Sequence, residues 1–276
     1  MNEIKIASWN INSVRLRIGQ IGEFVAEENP DVLCLQEIKC LDHQIPREDL
    51  IGFGYPHIEV SGQKGMHGAA TISKYPLTRM QTTFCPRDEA RHVSTHVHTG
   101  KGQDFELHNF YIPAGGDEPD AEVNPKFAHK LEFLDNMTRY FKSRAPENAP
   151  MVLVGDFNIA PHENDVWSHK QLLKVVSHTP IEVERLARLQ AAHDFTDCAR
   201  AIAGDDEKHS LFSWWSYRSR DINKSDRGRR LDHIWVSPAL RQAAIKQGAH
   251  KIHRPCRLWE RPSDHAPVTQ TLRLSA

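Results

Sequence analysis

The sequence predicts an α/β fold in which two similar layers of strands and helices pack against each other. Three observations predict it. Met151-Val152-Leu153-Val154 is an unbroken apolar run bounded by Pro150 and Gly155, the pattern of a strand covered on both faces. A strand–helix alternation occurs once in each half of the chain. The strands also tend to end in polar side chains, as a site built along one edge of a sheet requires.

The elements follow in order. Glu3 to Asn10 alternates polar and apolar residues and reads as a strand that ends in Asn10-Ile11-Asn12-Ser13. Ser13 is the expected N-cap of a helix whose apolar positions Leu16, Ile18, Ile21, Phe24 and Val25 recur at helical spacing, with Asn29-Pro30 as its stop. Asp31 to Gln36 is a second buried strand and delivers Glu37. Gln63 to Gly68 is glycine-rich but lacks phosphate-loop spacing, and reads as a hairpin turn before a strand at Ala69–Ser73. His92–His98 and Phe105–Ile112 predict two antiparallel strands, the second placing Tyr111 near its end. Lys126–Lys142 carries the strongest helical stripe. The central strand then bends at Gly155, and an extended backbone beyond it turns Asp156 and Asn158 to the same side. Thr179-Pro180-Ile181-Glu182 is a helix-start signature, for a helix to about Ala192. Leu231–Val236 is a strand with Asp232 near its start, and Ser263-Asp264-His265 precedes the last strand, Pro267–Leu274.

Of 276 residues, 39% are hydrophobic and 26% charged, which suits a globular protein with a substantial core. No linker divides the chain, so residues 1–276 are expected to form a single domain. No apolar run approaches membrane-spanning length. The chain enters a strand pattern at once, so no secretory or transit segment is expected, and a cytoplasmic, nucleoid-associated location is expected. The five cysteines, Cys34, Cys40, Cys85, Cys198 and Cys256, form no C-x-x-C pair and are read as free thiols. Net charge is -1, yet Trp214 to Arg261 holds twelve Lys/Arg against four Asp/Glu, while acids dominate from Asp104 to Glu122. Leu211 to Arg218 is an aromatic run followed by Arg220, Lys224, Arg227, Arg229 and Arg230. This stretch suits a nucleic-acid surface, and equally a core strand with a solvated basic loop. No apolar stripe is left over for self-association, so a monomer is expected.

The candidate site residues are Asn10, Asn12, Glu37, Tyr111, Asp156, Asn158, Asp232, Asp264 and His265. Carboxylates and amides without cysteine suit a hard cation such as Mg²⁺ or Mn²⁺ better than Zn²⁺.

These residues also carry a resemblance. Trp9-Asn10-Ile11-Asn12, Leu35-Gln36-Glu37, Gly62-Gln63-Lys64-Gly65, Tyr111-Ile112-Pro113, Gly155-Asp156-Phe157-Asn158, Phe212-Ser213-Trp214-Trp215, Arg230-Leu231-Asp232 and Ser263-Asp264-His265 resemble, in order, the motifs of the exonuclease III family of abasic-site endonucleases, within the wider endonuclease/exonuclease/phosphatase superfamily. The resemblance implies a DNase I-like, four-layer α/β sandwich with two mixed sheets flanked by helices. It implies Mg²⁺-dependent hydrolysis of double-stranded DNA 5′ to abasic sites and at 3′ ends, as 3′-5′ exonuclease, abasic-site endonuclease and 3′-phosphatase/phosphodiesterase, with Mn²⁺ as a substitute. By the same resemblance Glu37 is the principal metal ligand, with Asn10, Asp156, Asn158, Asp264 and His265 near the metal. Asp156 activates water, Asn158 holds Asp156 and a phosphate oxygen, Asp232 pairs with His265 at the phosphate, and Tyr111 stabilises the phosphate. Asn12, Arg218, Arg229, Phe212 and Trp215 are implied in contacts with phosphate or DNA, Trp215 and its neighbours walling the pocket for an extruded sugar. Two positions depart from relatives: Ala114 stands where many have Asn, and Arg229 where some have Trp. A lipid phosphodiester or unspecific duplex DNA as substrate, and a non-catalytic DNA-binding role, are the alternatives on the same fold.

Overall fold

The computed structural model describes residues 2–82, 87–100, 102–207, 210–219 and 221–274; Cys85 and Arg220 lie outside them. The first half runs β1 (Asn2–Asn10), α1 (Ile18–Glu28), β2 (Val32–Gln36), α2 (Arg47–Gly52), β3 (His57–Ser61), β4 (Ala69–Ser73), β5 (Leu77–Arg79), β6 (His92–Val97) and β7 (Phe105–Tyr111). The second runs α3 (Pro125–Arg144), β8 (Met151–Asp156), α4 (His169–Leu172), α5 (Pro180–Ala192), β9 (Thr196–Asp197), α6 (Cys198–Ala203), β10 (Trp214–Trp215), β11 (Gly228–Arg229), β12 (Asp232–Val236), α7 (Arg241–Ala244), β13 (His250–Ile252) and β14 (Val268–Leu274).

The strands form two six-stranded sheets, ordered β13-β14-β1-β2-β4-β3 and β5-β6-β7-β8-β12-β9, and one small β10-β11 ribbon. Each large sheet is mixed. β1 and β2 are parallel and joined through α1; β7 and β8 are parallel and joined through α3; the other pairings are antiparallel.

Side-chain alternation explains the layers. Along β2, Val32 and Cys34 enter the core between the sheets, while Leu33 and Leu35 pack outward with Ile21 and Phe24 of α1. Along β8, Val152 and Val154 share that inter-sheet core, while Met151 and Leu153 pack outward with Leu134, Met137 and Phe141 of α3 and Leu186 and Leu189 of α5. Both strands are therefore buried on both faces, which is why their sequences are continuously apolar. The result is the expected sandwich of helix, sheet, sheet, helix.

Two local expectations fail. Ser13 is not a helix cap: α1 begins at Ile18, with Arg17 at its N-cap position and no side-chain cap bond. Asn12 and Ser13 instead adopt left-handed backbone (φ 47° and 91°), and the Arg17 guanidinium binds the carbonyls of Ile11, Asn12, Arg261 and Pro262. Nor is the chain extended after Asp156, because Asn158 has φ 55°. Gly155 has its own reason. At φ 139° a Cβ there would lie 2.0 Å from the Phe110 carbonyl oxygen of the neighbouring strand β7.

Helix α5 starts as expected, with a reciprocal capping box between Thr179 and Glu182. Glu182 does more than cap. Its carboxylate accepts from the Ser177 and Thr179 amides (2.9–3.1 Å), from the Thr179 hydroxyl (2.7 Å) and from the Lys130 ammonium on α3. Both side chains of the Lys130–Glu182 pair are fully buried. Breaking a buried ion pair leaves one charge uncompensated. Lys130→Met is therefore expected to lower unfolding stability by about 3–5 kcal/mol in urea denaturation, and the double variant Lys130→Met/Glu182→Gln to recover part of it.

Candidate active site

The site forms where strand ends of both sheets meet. β1 ends at Asn10, β2 feeds Glu37, β7 ends at Tyr111, β8 ends at Asp156, β12 begins at Asp232, and the segment before β14 supplies Asp264 and His265. Asp232 lies opposite Asp156 in the antiparallel pairing of β12 with β8. Backbone strain gathers here. Asn12, Ser13, Glu37, Lys39, Asn158 and Ser177 are among the eleven non-glycine residues with positive φ in the described chain. Such conformations are kept where the surroundings enforce them and side-chain placement matters.

Asp156, Asp232 and His265 bring one ligand-type atom each within 4.8 Å of one another. His265 sits between the acids, its Nδ1 2.8 Å from Asp232 Oδ2 and its Nε2 3.6 Å from Asp156 Oδ2. Burial disfavours the imidazolium, but the two carboxylates outweigh it and push the His265 pKa up to about 10. Burial also pushes Asp156 up to about 7, against the opposing pull of His265. In this ionisation state both ring nitrogens of His265 carry protons and face the flanking carboxylates of Asp232 and Asp156. Asp156 is further held by Asn10 Nδ2 (2.9 Å) and Asn158 Nδ2 (3.1 Å) on Oδ2 and by the Asn158 amide (2.9 Å) on Oδ1.

Glu37 occupies the adjoining corner. Asn10 Nδ2 donates to its Oε1 (3.0 Å), and the Lys39 ammonium lies 2.9 Å from its Oε2. Burial opposes ionisation, yet these partners hold the Glu37 carboxyl below its ordinary value. Lys39 also donates to Asn12 Oδ1 (2.5 Å), so a positive charge already rests among oxygens of Glu37 and Asn12. That oxygen-lined position fits a hard cation. Asp264 accepts from Asn12 Nδ2 (3.1 Å) and from Trp214 Nε1 (3.0 Å). Burial works against its ionisation too, but His265 and Trp214 hold its pKa down. Burial and the nearby Glu37 and Asp156 raise the Tyr111 pKa, keeping its hydroxyl a donor.

A cavity of about 350 Å³ opens over these groups, walled by Val176, Ser177, Trp214, Arg229 and Leu231. Here the aromatic expectation is corrected. Trp215 and Phe212 are fully buried, Trp215 Nε1 donating to Asp226, and neither lines the cavity. Trp214 does, because adjacent residues of a strand face opposite ways and the sequence does not say which indole faces in. Arg218 is exposed on the loop after β10. Lys39 and Lys130 escaped the sequence reading. Lys39 shares its motif with Glu37, whereas Lys130 lies in a helix stripe with no local signal.

The pattern of the Endonuclease/Exonuclease/phosphatase family matches residues 7–265. The chain belongs to this family. It is similar to exodeoxyribonuclease III of Haemophilus influenzae, 32% identical over 96% of this chain and 98% of that one. It is 29% identical to DNA repair nuclease APEX1 of Danio rerio, over 96% of this chain and 81% of that one. Among solved structures, an AP endonuclease from Archaeoglobus fulgidus superposes with TM-score 0.86 at 27% identity, covering 98% of this chain and all of that one. The 3′ phosphatase NExo from Neisseria, bound to a product DNA hairpin, superposes with TM-score 0.85 at 28% identity, covering 99% and 100%. The two mixed sheets and flanking helices are thus those of a family of phosphodiester hydrolases. No helix among the described residues is long and apolar enough to cross a membrane.

The ionisation of this family site is testable. In the metal-free protein, ¹⁵N NMR is expected to show His265 doubly protonated at pH 8, and neutral there in Asp232→Asn. Because its folded pKa is raised, its stabilising effect is complete below about pH 6.5 and fades as pH rises toward 10. Stability should fall over that window in the wild type and fall less in the variant.

Proposed function

We propose that this chain is a Mg²⁺-dependent DNA repair nuclease that hydrolyses double-stranded DNA 5′ to abasic sites and at 3′ ends, with Mn²⁺ able to replace Mg²⁺. It acts as a single domain over residues 1–276, as a monomer, on cytoplasmic DNA. The observation that carries the reading is Asp156, a buried carboxyl with a pKa of about 7, within 3.6 Å of the His265 ring. A general base is most effective when its pKa lies near working pH. Similarity to exodeoxyribonuclease III and to the NExo phosphatase supports the choice of substrate.

Each residue then has a role. Asp156 takes the proton of the attacking water, and Asn10 and Asn158 fix its orientation. His265, kept cationic by Asp232, donates to a phosphate oxygen and stabilises the charge that builds there. The Tyr111 hydroxyl donates to the same phosphate. Glu37 would hold the metal ion, with Asn10 and Asp264 nearby, and the ion when bound would supply Lewis-acid polarisation of a phosphoryl oxygen. Asn12, Arg218 and Arg229 approach the DNA backbone, and Trp214 takes the wall position expected of Trp215.

Asp156→Asn is expected to cut the cleavage rate of an abasic duplex by about 10²–10⁴-fold while duplex binding persists. EDTA should abolish wild-type cleavage, and added Mg²⁺ should restore it. Near wild-type turnover by Asp156→Asn would exclude this carboxyl as the base.

A further inference from the structure

A second cavity, of about 420 Å³, adjoins the catalytic one and shares only Tyr111, Ala114 and Gly116 with it. None of the residues given a catalytic or metal role lines it except Tyr111. Its size is in the range of small-molecule sites. Its lining combines cations with apolar surface. Arg87, Arg91 and Lys126 face one carboxylate, Glu89. That carboxylate is already engaged, by Arg91 Nε and by His129 Nε2 (3.1 Å). Arg87 and Lys126 are exposed and form no ion pair among the described residues. The acids that follow on the same loop, from Asp117 to Glu122, line the catalytic cavity and the groove beyond it, not this one.

The walls are fixed in advance. Arg91 is buried, its Nη2 donates to His67 Nε2 (3.2 Å), and its guanidinium carbon lies 5.0 Å from the Tyr111 ring. Burial and the Arg91 charge lower the His67 pKa, so that ring is neutral and carries its proton on Nδ1. His129 is 5% exposed, yet its Nδ1 has no hydrogen-bond partner; Glu132 Oε2, at 4.0 Å, is too far. A buried polar atom left unpaired is costly unless something comes to it. Helix α3 begins at this wall. Asn124 takes the Lys126 amide on its side chain and the Phe127 and Ala128 amides on its carbonyl, so the helix offers its positive end and the Lys126 ammonium rather than free amides. The apolar part is Pro113, Pro125 and Met66, the last 59% exposed at the rim. Gly115 and Gly116, at φ 93° and 73°, bring bare backbone to the lining.

We propose that this cavity is a second site, for a single nucleotide, with Arg87, Arg91 and Lys126 receiving its phosphate and Met66, Pro113 and Pro125 receiving its base. No bond is made or broken there. A phosphate alone leaves the apolar lining uncovered, and a base alone leaves Arg87 and Lys126 without an anion. A phosphate monoester carries close to two negative charges at neutral pH, which suits two cations free of carboxylate partners. The apolar side chains cover the base face, and a thioether at the rim adapts to any of the four bases. Two sources offer this chemistry: a free nucleoside 5′-monophosphate, or a nucleotide within a DNA strand whose scissile phosphate lies in the catalytic cavity. The second source rests on the nuclease reading above; the first does not.

Two arms test it, each with wild type, Lys126→Gln and Met66→Ala. Both residues are exposed, so the melting temperature of each variant should stay that of wild type. The first arm measures binding of dCMP, inorganic phosphate and deoxycytidine by calorimetry in EDTA. Wild type is expected to bind dCMP more tightly than either part. Lys126→Gln should weaken dCMP and phosphate about 10-fold, the scale of one charge-assisted hydrogen bond, and spare deoxycytidine. Met66→Ala should weaken dCMP and deoxycytidine and spare phosphate. The second arm measures cleavage of an abasic duplex with Mg²⁺ after a neutral methylphosphonate replaces, one at a time, the phosphates flanking the abasic site. If the strand fills the cavity, one replacement lowers kcat/KM in wild type and lowers it no further in Lys126→Gln. Binding of dCMP that depends on Lys126 and Met66 supports the free nucleotide; non-additive losses support the strand. If dCMP binding is absent or indifferent to both substitutions, and the duplex losses simply add, the proposal is overturned. If wild type does not cleave the duplex at all, the nuclease reading fails, and the first arm alone decides for or against the second site.

Discussion

Two carboxylates, Asp156 and Asp232, face each other across β8 and β12 in a buried strand pairing, and one imidazolium keeps them there. The acids belong to one sheet. His265 enters from the segment before β14, in the other sheet. Like charges at this separation repel strongly in a poorly solvated interior, so the two layers must meet in the register that delivers His265 between them. Supporting bonds hold that register: Trp9 Nε1 donates to the His265 carbonyl (3.1 Å), and the Ser263 hydroxyl donates to the Asn10 carbonyl (2.6 Å). The contact at the centre of the candidate site thus also joins the two halves of the sandwich.

A second buried pair steadies the rim. Lys130 donates to Glu182 and also to the carbonyls of Asn158 (2.8 Å) and Ala114 (3.2 Å). Burial lowers the Lys130 pKa, with Glu182 opposing. One helix-borne ammonium therefore links the turn after β8 with the strand end after β7, and its partner carboxylate secures the loop carrying Ser177. The catalytic edge and the cavity wall are separate segments joined through this pair. Preorganisation of this kind limits reorientation when charge develops on a substrate.

The two faces of the cavity follow from how each arginine is matched. Arg230, paired with Asp165 and Asp197, welds β12 to its surroundings and contributes nothing to the cavity. Arg229, one residue earlier, carries the same charge to the cavity wall, where it donates to the Val176 carbonyl and the Ser177 hydroxyl. The two side chains leave the end of β11 toward different partners, and composition alone does not show it.

Much of this was legible in the sequence. The doubly buried strands announced themselves as unbroken apolar runs, α3 and α5 by stripe and capping box, and the acids and amides by their positions at strand ends, which the ordered motifs then assembled into a site. The expectations that failed were local. Ser13 and Asn158 leave the regular backbone, and Trp215 and Phe212 turn into the core in favour of Trp214. By itself, then, the sequence determined which segments are strands and helices and which side chains are offered at their ends, because periodicity and turn chemistry are local properties. Only the tertiary structure decided which indole faces the cavity, which nitrogen of His265 meets which acid, and that Arg229 bonds to the Val176 carbonyl and the Ser177 hydroxyl. Those outcomes depend on burial and on partners far apart in the chain, as when Asn10 reaches Asp156 across 146 positions, and no local pattern encodes them.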